Sequence, residues 1–270
     1  LSGGSVSNFS GSGSIYSATF TPSQNSTANG VIHVGSNKFS NVGIFNNDGS
    51  DSNNTLTLSV NTVRPTIALT SNVASLKAGQ TASLSFTLSE ASTNFAQSDV
   101  TVSGGSLSNW NKASPTSYSA TFTPNTNSTT NGVISVASGT FTNAAANSNA
   151  DGSDNNNTLT LPIDTVRPTI ALTSNVASLK AGQTATLSFI LSETSSNFAK
   201  SDISVSGGSL SNFSGSGTSY TATFTPNTNS TDNGVISVAS GSFSDANANT
   251  NADGSDNNNT LNLSVDSIRP

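Results

Sequence analysis

Apolar residues alternate with Ser and Thr in short runs along most of the chain. In Thr81–Ser89, Ala82, Leu84, Phe86 and Leu88 face one way and the hydroxyl residues the other. This period of two marks a strand with one buried face. The same alternation predicts strands over Asp99–Ser103 (Val100 and Val102 inward), Tyr118–Thr123 (Tyr118, Ala120 and Phe122), Val133–Ala137 (Ile134 and Val136) and Thr158–Ile163 (Leu159, Leu161 and Ile163). A first strand, Thr66–Ser71, follows Pro65, where a missing amide donor is tolerable at a sheet edge. A further, poorly defined strand is expected after Ser-Gly-Gly-Ser, and Gly-Gly, Pro-Asn and Asn-Gly pairs punctuate the runs. Asn143–Ala150 has no apolar face and reads as loop.

The pattern repeats. NTVRPTIALTSNVASLKAGQTASLSFTLSE begins at Asn61, DTVRPTIALTSNVASLKAGQTATLSFILSE at Asp164, and DSIRP closes the chain from Asp266. A unit of about 100 residues with seven strands is the size of one immunoglobulin-type sandwich. The expected fold is all-β: tandem immunoglobulin-like antiparallel β-sandwich domains of seven strands each, arranged end to end. Complete units are expected over 62–164 and 165–266, with 267–270 opening the next. Residues 1–61 match the later part of a unit. Leu1 aligns with Val102, so strands A and B and the start of C are absent from this stretch. An excerpt of a longer chain or completion by strands of another molecule would each account for that.

Composition narrows the class. Only 8% of residues are charged, the formal net charge is −6, and there is no Cys. An acidic surface disfavours nucleic acid as a partner. No disulfide framework or thiolate metal site is available, and no apolar run reaches membrane-spanning length. The β-branched and aromatic alternation argues against disorder despite the Ser, Thr and Asn bias.

The combination SLKAGQTATLSF, LSE, SD, SGGSLSNFSGSGTSYTATFTP, NGVISVAS and DTVRPT resembles the bacterial Ig-like repeats of large biofilm-associated and RTX-type surface adhesins. The resemblance spans both full repeats. It implies an extracellular location, at the bacterial surface or secreted, and a structural role as stalk repeats supporting adhesion or biofilm formation. The alternative is a structural subunit of a surface filament or surface layer whose repeats contact other chains. Neighbouring repeats of the same chain are the expected partners, with other copies in a surface assembly as a further class.

All of the 14 acidic residues except Asp232 and Asp245 recur at equivalent positions. In a sandwich of this topology the N-terminus, the B–C loop and the F–G loop share one pole. Glu90 and Asp99 bracket the B–C loop, Asp151 and Asp154 lie in the F–G loop, and the linker residue Asp164 enters the following repeat. Glu193, Asp202, Asp253 and Asp256 repeat the set. Two readings stand side by side. Carboxylates converging at one pole would bind Ca²⁺, which takes six to eight oxygens from flexible loops. Alternatively, the Asp and Asn residues make turns and caps.

Arg64, Arg167 and Arg269 recur beside the linker and are expected to form inter-domain salt bridges. Lys77 and Lys180 are expected solvated in the A–B turn. His33 aligns with Ser135 and Ser237, so a Ser-His-Asp site is unsupported. Trp110 aligns with Phe9 and Phe213 and reads as an apolar filler in a loop. No arrangement of residues suggests an enzyme.

Overall fold

A computed structural model describes residues 1–151, 155–253 and 257–269. Residues 1–61 hold four strands: β1 (Gly4–Ser12), β2 (Ile15–Pro22), β3 (Gly30–His33) and β4 (Thr55–Leu58). β1 pairs with β2 and β3 with β4, both antiparallel. The residues between Asn61 and Asp164 hold β5 (Ile67–Ser71), β6 (Leu76–Lys77), β7 (Ala82–Leu88), β8 (Val100–Ser103), β9 (Gly105–Ser114), β10 (Ser117–Pro124), β11 (Gly132–Val136), β12 (Thr158–Leu161) and β13 (Ile163–Asp164). One sheet has the order β5-β7-β10-β9 and the facing sheet β12-β11-β8, while β6 and β13 pair in parallel. This is the ABED/CFG arrangement of an immunoglobulin-type sandwich.

The last repeat has the same plan. It contains β14 (Ile170–Ser174), β15 (Ser178–Lys180), β16 (Ala185–Ser195), β17 (Ile203–Ser206), β18 (Gly208–Pro226), β19 (Gly234–Val238) and β20 (Thr260–Asp266). Its sheets are β14-β16-β18 and β15-β20-β19-β17. β18 runs through the stretch that the preceding repeat divides into β9 and β10.

The alternation read from the sequence is the alternation of burial. β7 reads buried, exposed, buried along its whole length, and Phe86 and Phe189 are fully buried. The strand after Ser-Gly-Gly-Ser is β9, ten residues long. Its pattern is obscured because Asn109 takes a left-handed φ of 53° and the register against β10 slips between Ser108 and Asn111. A bulge of this kind shifts the side-chain phase by one residue. Trp110 lies on this strand, not in a loop. Its ring packs 5.1 Å from Phe86, 5.5 Å from Phe95 and 5.9 Å from Tyr118. The sequence reading also missed β6 and β15, whose Leu76 and Leu179 are buried.

Phe122 and its equivalents Phe20 and Phe224 join the sheets. Phe122 comes from β10 and is fully buried. A Cβ built on Gly105 of β9 would lie 2.5 Å from its Cζ, and one on Gly132 of β11 would lie 2.6 Å away. Gly208 and Gly234 frame Phe224 at 2.5 Å in each case. The ring therefore rests on bare backbone from both sheets. Gly104 has a different reason: its φ is +73°, and a Cβ there would meet the Asn131 carbonyl oxygen at 2.3 Å. In residues 1–61, where the facing strands are absent, Phe9, Tyr16 and Phe39 are 72%, 55% and 64% exposed.

Two substitutions test this packing. Phe86→Ala should lower the stability of its repeat by about 3–5 kcal/mol through cavity formation. Gly132→Ala should cost roughly 1–3 kcal/mol through overpacking against Phe122. Denaturant unfolding of the chain measures both, and a loss below about 1 kcal/mol for Phe86→Ala would mean that its strand buries the other face.

Candidate functional site at the repeat junction

Each repeat begins with a linker that its own loops grip. The linker Asn or Asp makes an Asx turn: Val63, Val166 and Ile268 amides donate to Asn61, Asp164 and Asp266 side-chain oxygens at 3.0, 3.1 and 3.3 Å. The next residue ties back to the loop of the preceding unit. Thr165 Oγ1 donates to the Asn125 carbonyl at 2.7 Å and accepts the Ser128 amide at 2.9 Å. Ser267 holds Asn227 and Ser230 in the same way.

The Asn-rich stretch read as featureless loop carries much of this architecture. Buried Asn149 accepts the Thr140 and Phe141 amides at 2.9 and 3.1 Å and donates to the Ala137 carbonyl at 2.9 Å. Asn47 and Asn251 do the same work in the other repeats. Asn249, only 2% exposed, spans the junction between the two full repeats. Its Oδ1 accepts the Ala78 amide of the preceding repeat at 2.7 Å. Its Nδ2 donates to the Asp164 carbonyl at 3.1 Å and to Asp245 Oδ2 at 2.9 Å. Asn247 adds a bond to Asp164 Oδ2 at 2.6 Å. The signal available in the sequence was that Asn recurs at 47, 149 and 251, a positional constancy that a merely solvated loop does not need.

Lys77 and the arginines depart from expectation. Lys77 is not simply solvated: its Nζ reaches the Ala248 carbonyl of the next repeat at 3.2 Å. Arg64 Nε donates to the Ser148 carbonyl at 2.8 Å, and Arg167 Nη1 reaches Thr250 Oγ1 at 3.1 Å. The arginine contacts lie within a repeat and use neutral oxygens, not an inter-domain carboxylate. The reason is local: the loop beneath each guanidinium brings a carbonyl or hydroxyl oxygen within reach.

Four of the acids expected at the pole have separate backbone partners. Asp99 and Asp202 accept the Ala96 and Ala199 amides at 2.9 and 2.8 Å, closing short 3₁₀ turns before β8 and β17. Asp151 and Asp253 are buried and accept the first amides of the A strands, from Ile67 and Ile170, at 2.6 and 2.7 Å. Asp151 Oδ2 is buried with no partner among the described residues. Asp48, whose unit has no A strand here, instead takes the hydroxyl and amide of Ser50, which hold its carboxyl below the usual range. Asp154 and Asp256 lie outside the described residues. Among the described residues no three His, Cys, Asp or Glu side chains are placed to hold a metal ion.

Glu90 and Glu193 do face the linker pole, and the two junctions differ in the linker residue, Asn61 against Asp164, and in the loop residue beside the glutamate, Asn143 against Asp245. Asn143 Nδ2 donates to Glu90 Oε2 at 2.5 Å and to the Val63 carbonyl at 3.0 Å. At the equivalent position the last repeat has Asp245, which puts a carboxyl group against Glu193. Burial first, then the charge of Asp164 and the contact and charge of Asp245, push the Glu193 carboxyl above its ordinary value.

A family model described as bacterial Ig-like domain matches residues 61–160 and 164–262. Among solved structures, the chain is similar to the Escherichia coli adhesin FdeC, with 14% identity and a TM-score of 0.43 over 98% of this chain and 82% of that one. It is also similar to invasin, a bacterial integrin-binding protein, at 14% identity and a TM-score of 0.40 over 79% of this chain and 43% of that one. For the Yersinia pseudotuberculosis adhesin InvE the values are 14%, 0.31, 74% and 58%. The chain thus spans less than two thirds of the invasin and InvE chains. No curated protein matches it significantly.

The Glu193 environment has a pH signature. The folded chain binds the Glu193 proton more tightly than the unfolded chain, so its contribution is lost as pH rises through the raised value. Glu193→Gln should therefore gain in melting temperature over the parent as pH is raised from about 4 to 7, a range spanning the ordinary Glu value of about 4.3. An equal difference at both ends would show that Asp164 and Asp245 do not act on it.

Proposed function

We propose that this chain, which belongs to the bacterial Ig-like domain family, is a structural spacer of a bacterial cell-surface adhesin, exposed outside the cell, holding a binding region away from the surface. The observation that carries the reading is the Asn249 clamp. A buried amide joins the A–B turn of one repeat, the linker and the F–G loop of the next. Its partners come from both repeats and from the linker between them. Swinging one repeat against the other breaks these bonds together, so the junction resists bending. Stacked units that contact only their neighbours form an extended, quasi-one-dimensional body.

The described residues support mechanics better than chemistry. His33, the one imidazole of the chain, sits exposed on β3 with Nδ1 2.9 Å from Thr55 Oγ1. Among the described residues no helix is long and apolar enough to cross a membrane.

Small-angle scattering of the chain should show an elongated particle whose longest dimension approaches the summed lengths of its repeats. Asn249→Ala should broaden the distance distribution and cost about 1–3 kcal/mol by leaving the Ala78 amide and the Asp164 carbonyl unpaired. A compact particle would overturn the spacer reading. Concentration-dependent growth into higher-order assemblies would instead favour a filament or surface-layer subunit.

A further inference from the structure

The loop between the E and F strands carries Asn-Ser-Thr in every repeat: Asn25–Thr27, Asn127–Thr129 and Asn229–Thr231. The flanking positions vary, with Gln24, Thr126 and Thr228 before it and Ala28, Thr130 and Asp232 after it. The central Ser has a structural task. Its hydroxyl accepts the amide two residues on, at 3.1 Å from Ala28 and Thr130 and 3.0 Å from Asp232, and its backbone holds the linker. The Asn residues sit at left-handed φ of 50°, 53° and 56°, a conformation Asn tolerates and which turns the side chain outward at a loop tip. The Thr residues have no such task. All six Asn and Thr side chains are exposed. Among the described residues neither the three carboxamides nor the three Thr hydroxyls have a hydrogen-bond partner.

Asn-x-Ser/Thr is the acceptor pattern for N-linked sugar, and it occurs elsewhere in the chain with its groups engaged. Asn8 and Asn212 donate to Thr19 and Thr223. At Asn53, Asn156 and Asn258 the required hydroxyls of Thr55, Thr158 and Thr260 donate to the intervening Asn side chains. Asn262 lies inside β20, paired with Val235 in the ladder. Among the described residues, only the E–F turn presents, on an exposed loop, both a free carboxamide and a free hydroxyl two residues on.

We propose that Asn25, Asn127 and Asn229 are N-glycosylation sites, one at the same turn of each repeat. The donor is a sugar activated as a glycosyl diphosphate, carried on a nucleoside or on a lipid. The Asn Nδ2 attacks the anomeric carbon, a C–N bond forms, and the bond from that carbon to the diphosphate oxygen breaks. The diphosphate carrier leaves, and the amide proton passes to a base of the transferase. The free Thr hydroxyl is the group the transferase reads beside the carboxamide. The inference is independent of the spacer reading, since an exposed turn accepts sugar whatever the stiffness of the junction.

The test is peptide mass spectrometry on the folded chain after two separate incubations. One uses a soluble N-glycosyltransferase with UDP-glucose, the other a membrane oligosaccharyltransferase with a lipid-diphosphate oligosaccharide. The same measurement is made on the protein recovered from its native cell surface. The expected result is sugar on Asn25, Asn127 and Asn229 of the native protein and of the arm with the matching donor, with Asn8, Asn53, Asn156, Asn212, Asn258 and Asn262 bare. Thr129→Val, which keeps the Asn and the shape of the turn, should remove sugar from Asn127 alone, with the melting temperature unchanged. Native protein with unmodified masses at all three turns would overturn the proposal. So would equal modification of all the Asn-x-Ser/Thr sites, or modification of Asn127 that survives Thr129→Val.

Discussion

The packing of one phenylalanine ring on two glycines is the constraint from which each sandwich is built. Phe122 stands on β10, and Gly105 and Gly132 belong to β9 and β11, so the ring sits where the two sheets close on each other. Side chains at the glycine positions would hold the sheets apart at that corner. Because the contact is ring to backbone, it sets the sheet spacing locally more tightly than side-chain packing would, since backbone cannot change rotamer. The aromatic cluster of Phe86, Phe95, Trp110 and Tyr118 then fills the space that this spacing leaves. The exposed aromatics of residues 1–61 show the same strands without their counterparts.

A second constraint operates at the poles, where apolar burial gives way to polar satisfaction. Long loops expose backbone donors and acceptors that no strand can pair, and buried ones must find partners. Asn supplies both a donor and an acceptor on one short side chain. That explains why Asn149, Asn249 and Asn251, rather than Lys or Glu, occupy the interior of these loops, and why a chain with so few charges builds defined junctions. Where Asp245 replaces Asn143, the donor is lost and a carboxyl faces Glu193, and Asp164 replaces Asn61 at the linker, so the two junctions differ in their electrostatics.

The recurrence of the acids was legible, and their assembly was not. Equal spacing showed that Asp99 and Asp202, or Asp151 and Asp253, hold equal places. It could not show that the first pair closes a 3₁₀ turn while the second caps an incoming strand. Both tasks call for a short carboxylate near backbone amides, which in one dimension looks the same as a ligand set. Arg64 was misread for a related reason: a cation in a sequence invites a carboxylate partner, whereas its loop offers a carbonyl oxygen. Lys77, expected solvated, also reaches a carbonyl, that of Ala248 in the next repeat.

The amino-acid sequence by itself determined the long alternating strands, the repeat unit and the buried faces, because a period of two commits each run to one face and the repeat displays it more than once; the two-to-three-residue strands β6 and β15 are too short to show a period. Phe86, Ile134 and Leu161 could be placed in the core without coordinates. Only the tertiary structure decided the course of β9, since the bulge at Asn109 breaks the phase on which that reading depends. It alone revealed that Gly105 and Gly132 are there for the Phe122 ring, not merely as turn punctuation. It also showed Asn249 reaching Ala78 across 171 positions of chain. Contacts of that kind arise from three-dimensional closure of loops and sheets, and local periodicity carries no information about them.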